Sequence, residues 1–226
     1  MDSIGRKCFT SISSDSTGNT KLARELAQAA VPTVLIVPDP NHHLSNAVKD
    51  ICKIEYFTDI NPSTHLDALH VIYAINEGLE KIGKICFATI YWARYALLCT
   101  LLPIIELVQM GIIDVNAEKL GWFKQMCSLQ DFELHLQQLC HILEPIARAI
   151  KCLEGLEVTV GDVFKFYIAI TTVLGDFFEE DSLSTLSKVQ EEVCSIINRQ
   201  YDEMIHGPSG GLFLAGFFLD PGQFPL

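Results

Sequence analysis

Apolar residues change their spacing partway along this chain. Near the N-terminus they form short runs, and beyond about residue 61 they recur every three or four positions. Cys8 to Ser13 is a short apolar and β-branched run that predicts a strand. Thr17 to Ala30 places Leu22, Leu26 and Ala29 or Ala30 at helical spacing, with Asn19 or Thr20 able to cap the helix. Val31 to Val37 (VPTVLIV) is nearly all apolar and predicts a strand buried on both faces. Pro38-Asp39-Pro40 breaks that run. His42 to Thr58 then predicts a helix with Leu44, Val48, Ile51 and Cys52 on one side. Strand, helix, strand, helix in this order is an α/β unit with a parallel pairing. Two strands cannot hold a stable sheet core by themselves, so further strands or a covering partner are needed.

From there on the strand signals stop. Leu66 to Leu79, Ala88 to Met110, Ala117 to Cys127, Asp131 to Leu153, Val160 to Phe178 and Ser182 to Ile205 all predict helices. Thr159 stands three residues before Asp162, close to a capping box. Asp181 or Ser182 starts the last of these helices, and Gly207-Pro208 stops it. The tail GGLFLAGFFLDPGQFPL is Gly-rich and apolar, and its run Leu212 to Leu219 is too short to span a membrane. Tyr95 to Ile113 resembles a span, but the uncharged part between Arg94 and Glu106 falls short of the ~20 apolar residues required. Pro103 sits within it, so a buried, kinked helix is expected. The fold class is mostly α with a small α/β part. The organisation is an α/β segment over 1–60, a helical domain over 61–207 and an apolar tail over 208–226.

Composition narrows the partners. With 49% hydrophobic and 19% charged residues in a chain of 226, a packed core is expected and disorder is not. The net charge of -12 makes the chain poor at neutralising phosphates by itself. The eight Cys (8, 52, 86, 99, 127, 140, 152 and 194) include no CxxC pair and lie in apolar helical stretches. They read as reduced, mostly buried thiols, which places the protein in the nucleus or cytoplasm. MDSIGRKCFTS has no apolar core of a signal peptide, so the chain is not expected to be secreted.

Candidate chemistry is sparse. Asp15 follows the first predicted strand, where carboxylates can hold divalent ions for phosphoryl transfer. One carboxylate is not a site, and Asp15 or Ser16 serves equally as a helix cap. His42 and His43 open a helix after the second strand. Neighbouring helical residues point about 100° apart and rarely share one ion, so a packed or hydrogen-bonded His is the plainer reading. In Cys140-His141 the Cys is expected to be buried and the His exposed. The scattered carboxylates, Glu191, Glu192, Asp202 and Glu203 among them, read as solvated faces and helix ends. Lys49, Lys53, Lys81 and Lys84 form the one modest basic cluster, followed by Tyr91-Trp92 and Arg94. That group could touch a phosphate backbone or form a solvated rim with a buried Trp. No GxSxG, P-loop or GxGxxG occurs.

SSDSTGNTKLARELA followed by VLIVPDPNHHLSNAVKDI resembles the transposase core of the hAT superfamily, in the form abundant in fungal genomes. So do KICFATIYWARYALLCTLLPIIELV, LEPIARAIKCLEGLEVTVGDVFKFYIAIT and LFLAGFFLDP. The resemblance runs from about Phe9 to Pro221, with the blocks in the family's order. It implies a ribonuclease-H-like fold interrupted by a helical insertion domain. It also implies DNA as partner, and cleavage by two Asp and one Glu with Mg²⁺ or Mn²⁺. Asp15 would match the second of these carboxylates and a metal ligand. His42 or His43 would match the His of the Cys-x-x-His motif that follows it, and Lys81, Lys84, Trp92 and Arg94 would be DNA-contact candidates.

The chain departs from that pattern. The first Asp is expected upstream and the Glu beyond the insertion domain, so the ribonuclease-H-like part is expected to be incomplete. Asn41 stands where the family often has Cys, and Ile85-Cys86 where it has Thr and Arg. The stretch from Asp59 to His65 is short for the family. The implied function is a truncated, transposase-derived protein that is catalytically inactive as an isolated chain, binds divalent ions loosely and tends to self-associate. The alternative is a metal-dependent DNA-cleaving and -joining transposase whose missing carboxylates come from another chain or from unrecorded exons. A helical binding domain unrelated to transposition is a third reading.

Overall fold

The structure, a computed structural model, describes residues 11–14, 18–58, 88–112, 125–155, 157–180, 183–207 and 210–220. It is mostly helical, with a small two-strand parallel sheet near the N-terminus. Strand β1 (Ser11–Ser14) pairs with β2 (Leu35–Pro38), Ile12 lying opposite Ile36 and Ser14 opposite Pro38. Helix α1 (Gly18–Ala30) connects them, as a parallel pairing requires.

The second strand is shorter than its apolar run predicts. Val31 to Val34 form a turn closed by the Val34 N–H donating to the Val31 carbonyl at 2.9 Å. The Val34 N–H is spent in that turn, and the strand begins at Leu35. Nor is β2 buried on both faces: Leu35 is 52% exposed, and within β2 Val37 alone is buried. A near-continuous apolar run signals burial only where both sheet faces are covered.

Helix α2 (Pro40–Ile51) starts on Asp39, whose Oδ1 accepts the Asn41 N–H at 3.0 Å. A capping Asp followed by Pro in the first helical position satisfies an end donor and pre-sets the backbone. The predicted helix to Thr58 breaks after Ile51, and a short helix α3 (Glu55–Thr58) follows. Leu44, Val48 and Ile51 are buried as their spacing requires, whereas Cys52 is half-buried.

Four long helices and a short one follow among the described residues: α4 (Ala88–Gln109), α5 (Met126–Leu153), α6 (Val160–Glu180), α7 (Ser187–Ile205) and α8 (Gly210–Phe218). Helix α4 ends on Gly111 at φ 69°, with the Ile112 N–H reaching back to the Leu107 carbonyl. A glycine past a helix end takes this left-handed turn without a Cβ clash. Helix α6 starts on Thr159, whose N–H and hydroxyl both donate to Asp162 Oδ2 at 2.8 Å. Helix α7 starts at Ser187 rather than Ser182. Before it, Ser184 adopts φ 49°, and the buried Gln138 donates its Nε2 to the Leu183 carbonyl at 2.8 Å.

The chain divides into two compact units. The first takes Met1–Ala47, Ala149–Thr171 and Ser195–Leu226, and the second Val48–Arg148 and Thr172–Cys194. The first unit buries Leu44, Ile150, Tyr167, Ile170, Met204 and Phe213, and the second Phe57, Leu97, Leu101, Leu136, Leu143 and Val193. The expected boundary near residue 61, the helix over Leu66 to Leu79 and most of that over Ala117 to Cys127 lie outside the described residues.

The apolar tail contains a helix that its two leading glycines disguise. In α8, Gly216 crosses Gly161 of α6 so closely that a Cβ on Gly161 would lie 2.7 Å from the Gly216 carbonyl oxygen. Phe217 meets the Phe164 ring edge-on, and Lys165 reaches Asp220. Apolar area removed from water here offsets the poor helix propensity of glycine.

Ile90–Gln109 is the one helix among the described residues long and apolar enough to cross a membrane. It is not buried all round, as the sequence suggested. Tyr91, Leu97, Leu101, Ile104 and Ile105 are buried, while Trp92, Tyr95 and Leu102 are exposed.

Candidate functional site

The residue on which metal chemistry was expected to rest, Asp15, lies outside the described residues. Its immediate predecessor is well defined. Ser14 ends β1, and Arg24 of α1 folds back so that its Nη1 donates to the Ser14 carbonyl at 2.8 Å and to its hydroxyl at 2.7 Å. The end of this strand therefore carries a guanidinium bound to Ser14. Arg24 was not singled out in the sequence. Lying ten residues after Ser14, it reaches the strand only because α1 packs back along the sheet.

His43 is buried in the first unit, 8% exposed. Its Nδ1 lies 3.0 Å from Gln200 Oε1 and 3.8 Å from Glu203 Oε2, both on α7. An amide oxygen can only accept, so the neutral imidazole carries its proton on Nδ1. That nitrogen is committed to the hydrogen bond, which leaves Nε2 as the ring nitrogen able to ligate a metal. His42 is half-buried with its ring perpendicular to that of His43, centroids 6.4 Å apart.

On α6, Tyr167 packs edge-on against Tyr201 of α7, centroids 5.7 Å apart. Its hydroxyl is buried, and burial raises its pKa well above the ordinary phenol value, with Glu203 adding to the rise. Gln200 and Glu203 were not expected beside His43. Glu203 is exposed, as its reading on a solvated face expected, and the pairing of His43 with Gln200 across 157 residues has no local signature.

The DNA-contact candidates divide. Lys81 and Lys84 lie outside the described residues. Trp92 is 47% exposed, which corrects the expectation of a buried Trp beside the basic cluster, and Tyr91 takes the inward position. Burial, reinforced by the Glu144 carboxylate, pushes the Tyr91 pKa up to about 12. Arg94 is half-buried and donates from Nη1 to Cys52 Sγ at 2.7 Å, so part of its guanidinium is spent inside the second unit. Lys53, Arg148, Lys151, Lys165 and Lys188 each pair with a carboxylate three or four residues away. Such pairs answer the positive charge locally rather than gathering it into a phosphate-binding stripe.

The thiols are more exposed than their apolar surroundings suggested. The six described cysteines are free: Cys99, Cys127, Cys152 and Cys194 are exposed, Cys52 is half-buried and Cys140 is buried. Burial pushes the Cys140 thiol up to about 12, with the nearby Arg94 charge opposing the rise. Beside it His141 is exposed, as expected, with its Nδ1 2.8 Å from the Gln137 carbonyl oxygen and its ring stacked on Phe177.

No group of three or more His, Cys, Asp or Glu side chains among the described residues could hold a metal ion. The described residues bring no such ligand set together for Mg²⁺ or Mn²⁺, and Asp15 lies outside them. Compared with protein-family models, with curated proteins and with solved structures, the chain finds no match.

Proposed function

We propose that residues 11–58 are the strand–helix–strand–helix portion of a ribonuclease-H-like core of the hAT transposase type, with a helical insertion domain after it. The chain serves as a binding or structural module of transposon origin and does not cleave DNA by itself. One observation carries the reading: β1 and β2 run parallel in register across α1, and the acidic Asp15 follows the last residue of β1 in sequence. A carboxylate there is where a metal-dependent nuclease of this type would hold an ion.

The reading as inactive rests on the sequence, where Asp15 is the one match to the family's three carboxylates. A single carboxylate leaves a divalent ion mostly hydrated and loosely bound. DNA is a weak partner for a chain of net charge -12. Self-association is the favoured interaction, because β2 exposes the apolar Leu35 and α4 exposes Trp92, Tyr95 and Leu102.

Two measurements on the full chain test this. Mn²⁺ is titrated into labelled protein and paramagnetic broadening of amide signals is followed. The expected result is broadening confined to Ser13, Ser14 and their neighbours, lost in Asp15→Asn. Broadening spread over Glu191, Glu192 and Asp202, with none at β1, would remove the metal-site ancestry. Supercoiled DNA incubated with Mn²⁺ and the chain should remain intact. Nicking that disappears in Asp15→Ala would establish the second reading, a transposase whose other carboxylates come from another chain.

A further inference from the structure

We draw no further inference here: the strongest candidate, the exposed apolar face of helix α4 formed by Trp92, Tyr95 and Leu102, carries nothing because nothing in the structure shows what covers it.

Discussion

The imidazole of His43 donates to the side-chain carbonyl of Gln200 across 157 residues, at 3.0 Å and with both residues less than a tenth exposed. The bond ties the first turn of α2 to α7. Breaking it from either side strands a buried polar group, which costs roughly 1–3 kcal/mol beyond any packing lost. His43→Ala and Gln200→Ala are each expected to lower unfolding stability by about 2 kcal/mol. The double variant should lose less than the sum, with a coupling of ~0.5–1.5 kcal/mol in urea unfolding. Strict additivity would show that the two side chains do not interact.

Glycine positions separate close approach from simple flexibility. A Cβ on Gly161 or Gly216 would meet backbone or the Val160 side chain of the opposing helix at under 3.0 Å, so α6 and α8 must move apart to admit it. Gly161→Ala and Gly216→Ala are expected to cost about 1–3 kcal/mol through overpacking. Gly175, also in α6, has nothing within 4 Å of its would-be Cβ. Gly175→Ala should instead stabilise by ~0.5–1 kcal/mol through helix propensity. Melting temperatures that fall for all three would sink the distinction.

These cases mark what the sequence could and could not disclose. Thr159 with Asp162, and Asp39 with Pro40, are local signals, and both open helices in the structure. Leu44, Val48 and Ile51 announced the buried side of α2 because helical spacing needs no knowledge of the partner. The partner itself was not legible. Nothing near His43 names Gln200, and nothing near Ser14 names Arg24. The length of β2 misled because apolar character was read as strand, whereas Val31 to Val34 close a turn and the strand begins at Leu35. The helix α8 was missed because glycine is read as a breaker, although at Gly216 its missing Cβ is what admits the neighbouring helix.

Asp162 gives the start of α6 a pH dependence. Hydrogen bonding from Lys165, then from Thr159, holds its carboxyl below the ordinary Asp value. A depressed folded pKa means that the unfolded chain takes up its proton first, at about 3.9. The stabilisation is therefore complete above that value and is lost as pH falls through the folded pKa. Asp162→Asn is expected to cost on the order of 1 kcal/mol at pH 7, typical of a lost cap interaction. The gap to wild type should narrow at an acid pH, as the wild-type carboxyl is protonated below its lowered folded pKa. Melting curves at the two pH values check this, and a gap that persists in acid would mean that Asp162 acts by shape alone.

Cys140 and Tyr91 predict sensitivity at the opposite end of the scale. Burial pushes both groups up to about 12, while an unfolded thiol ionises near ~8.5 and an unfolded phenol near ~10. Above those values the unfolded chain has released protons that the folded chain retains, so stability falls as pH rises. Each group contributes up to ~1.4 kcal/mol per pH unit, Cys140 from about pH 8.5 and Tyr91 from about pH 10. Cys140→Val, which keeps the volume without the titrating atom, should flatten the urea midpoint between those two values. The same burial sets reactivity, since the thiolate is the nucleophile. Iodoacetamide at pH 8 should modify the exposed Cys99, Cys127 and Cys152 within the time that Cys140 remains unlabelled, read by peptide mass spectrometry. Labelling of Cys140 at the rate of Cys99 would show that its side chain reaches water, and the alkaline loss of stability would then need another source.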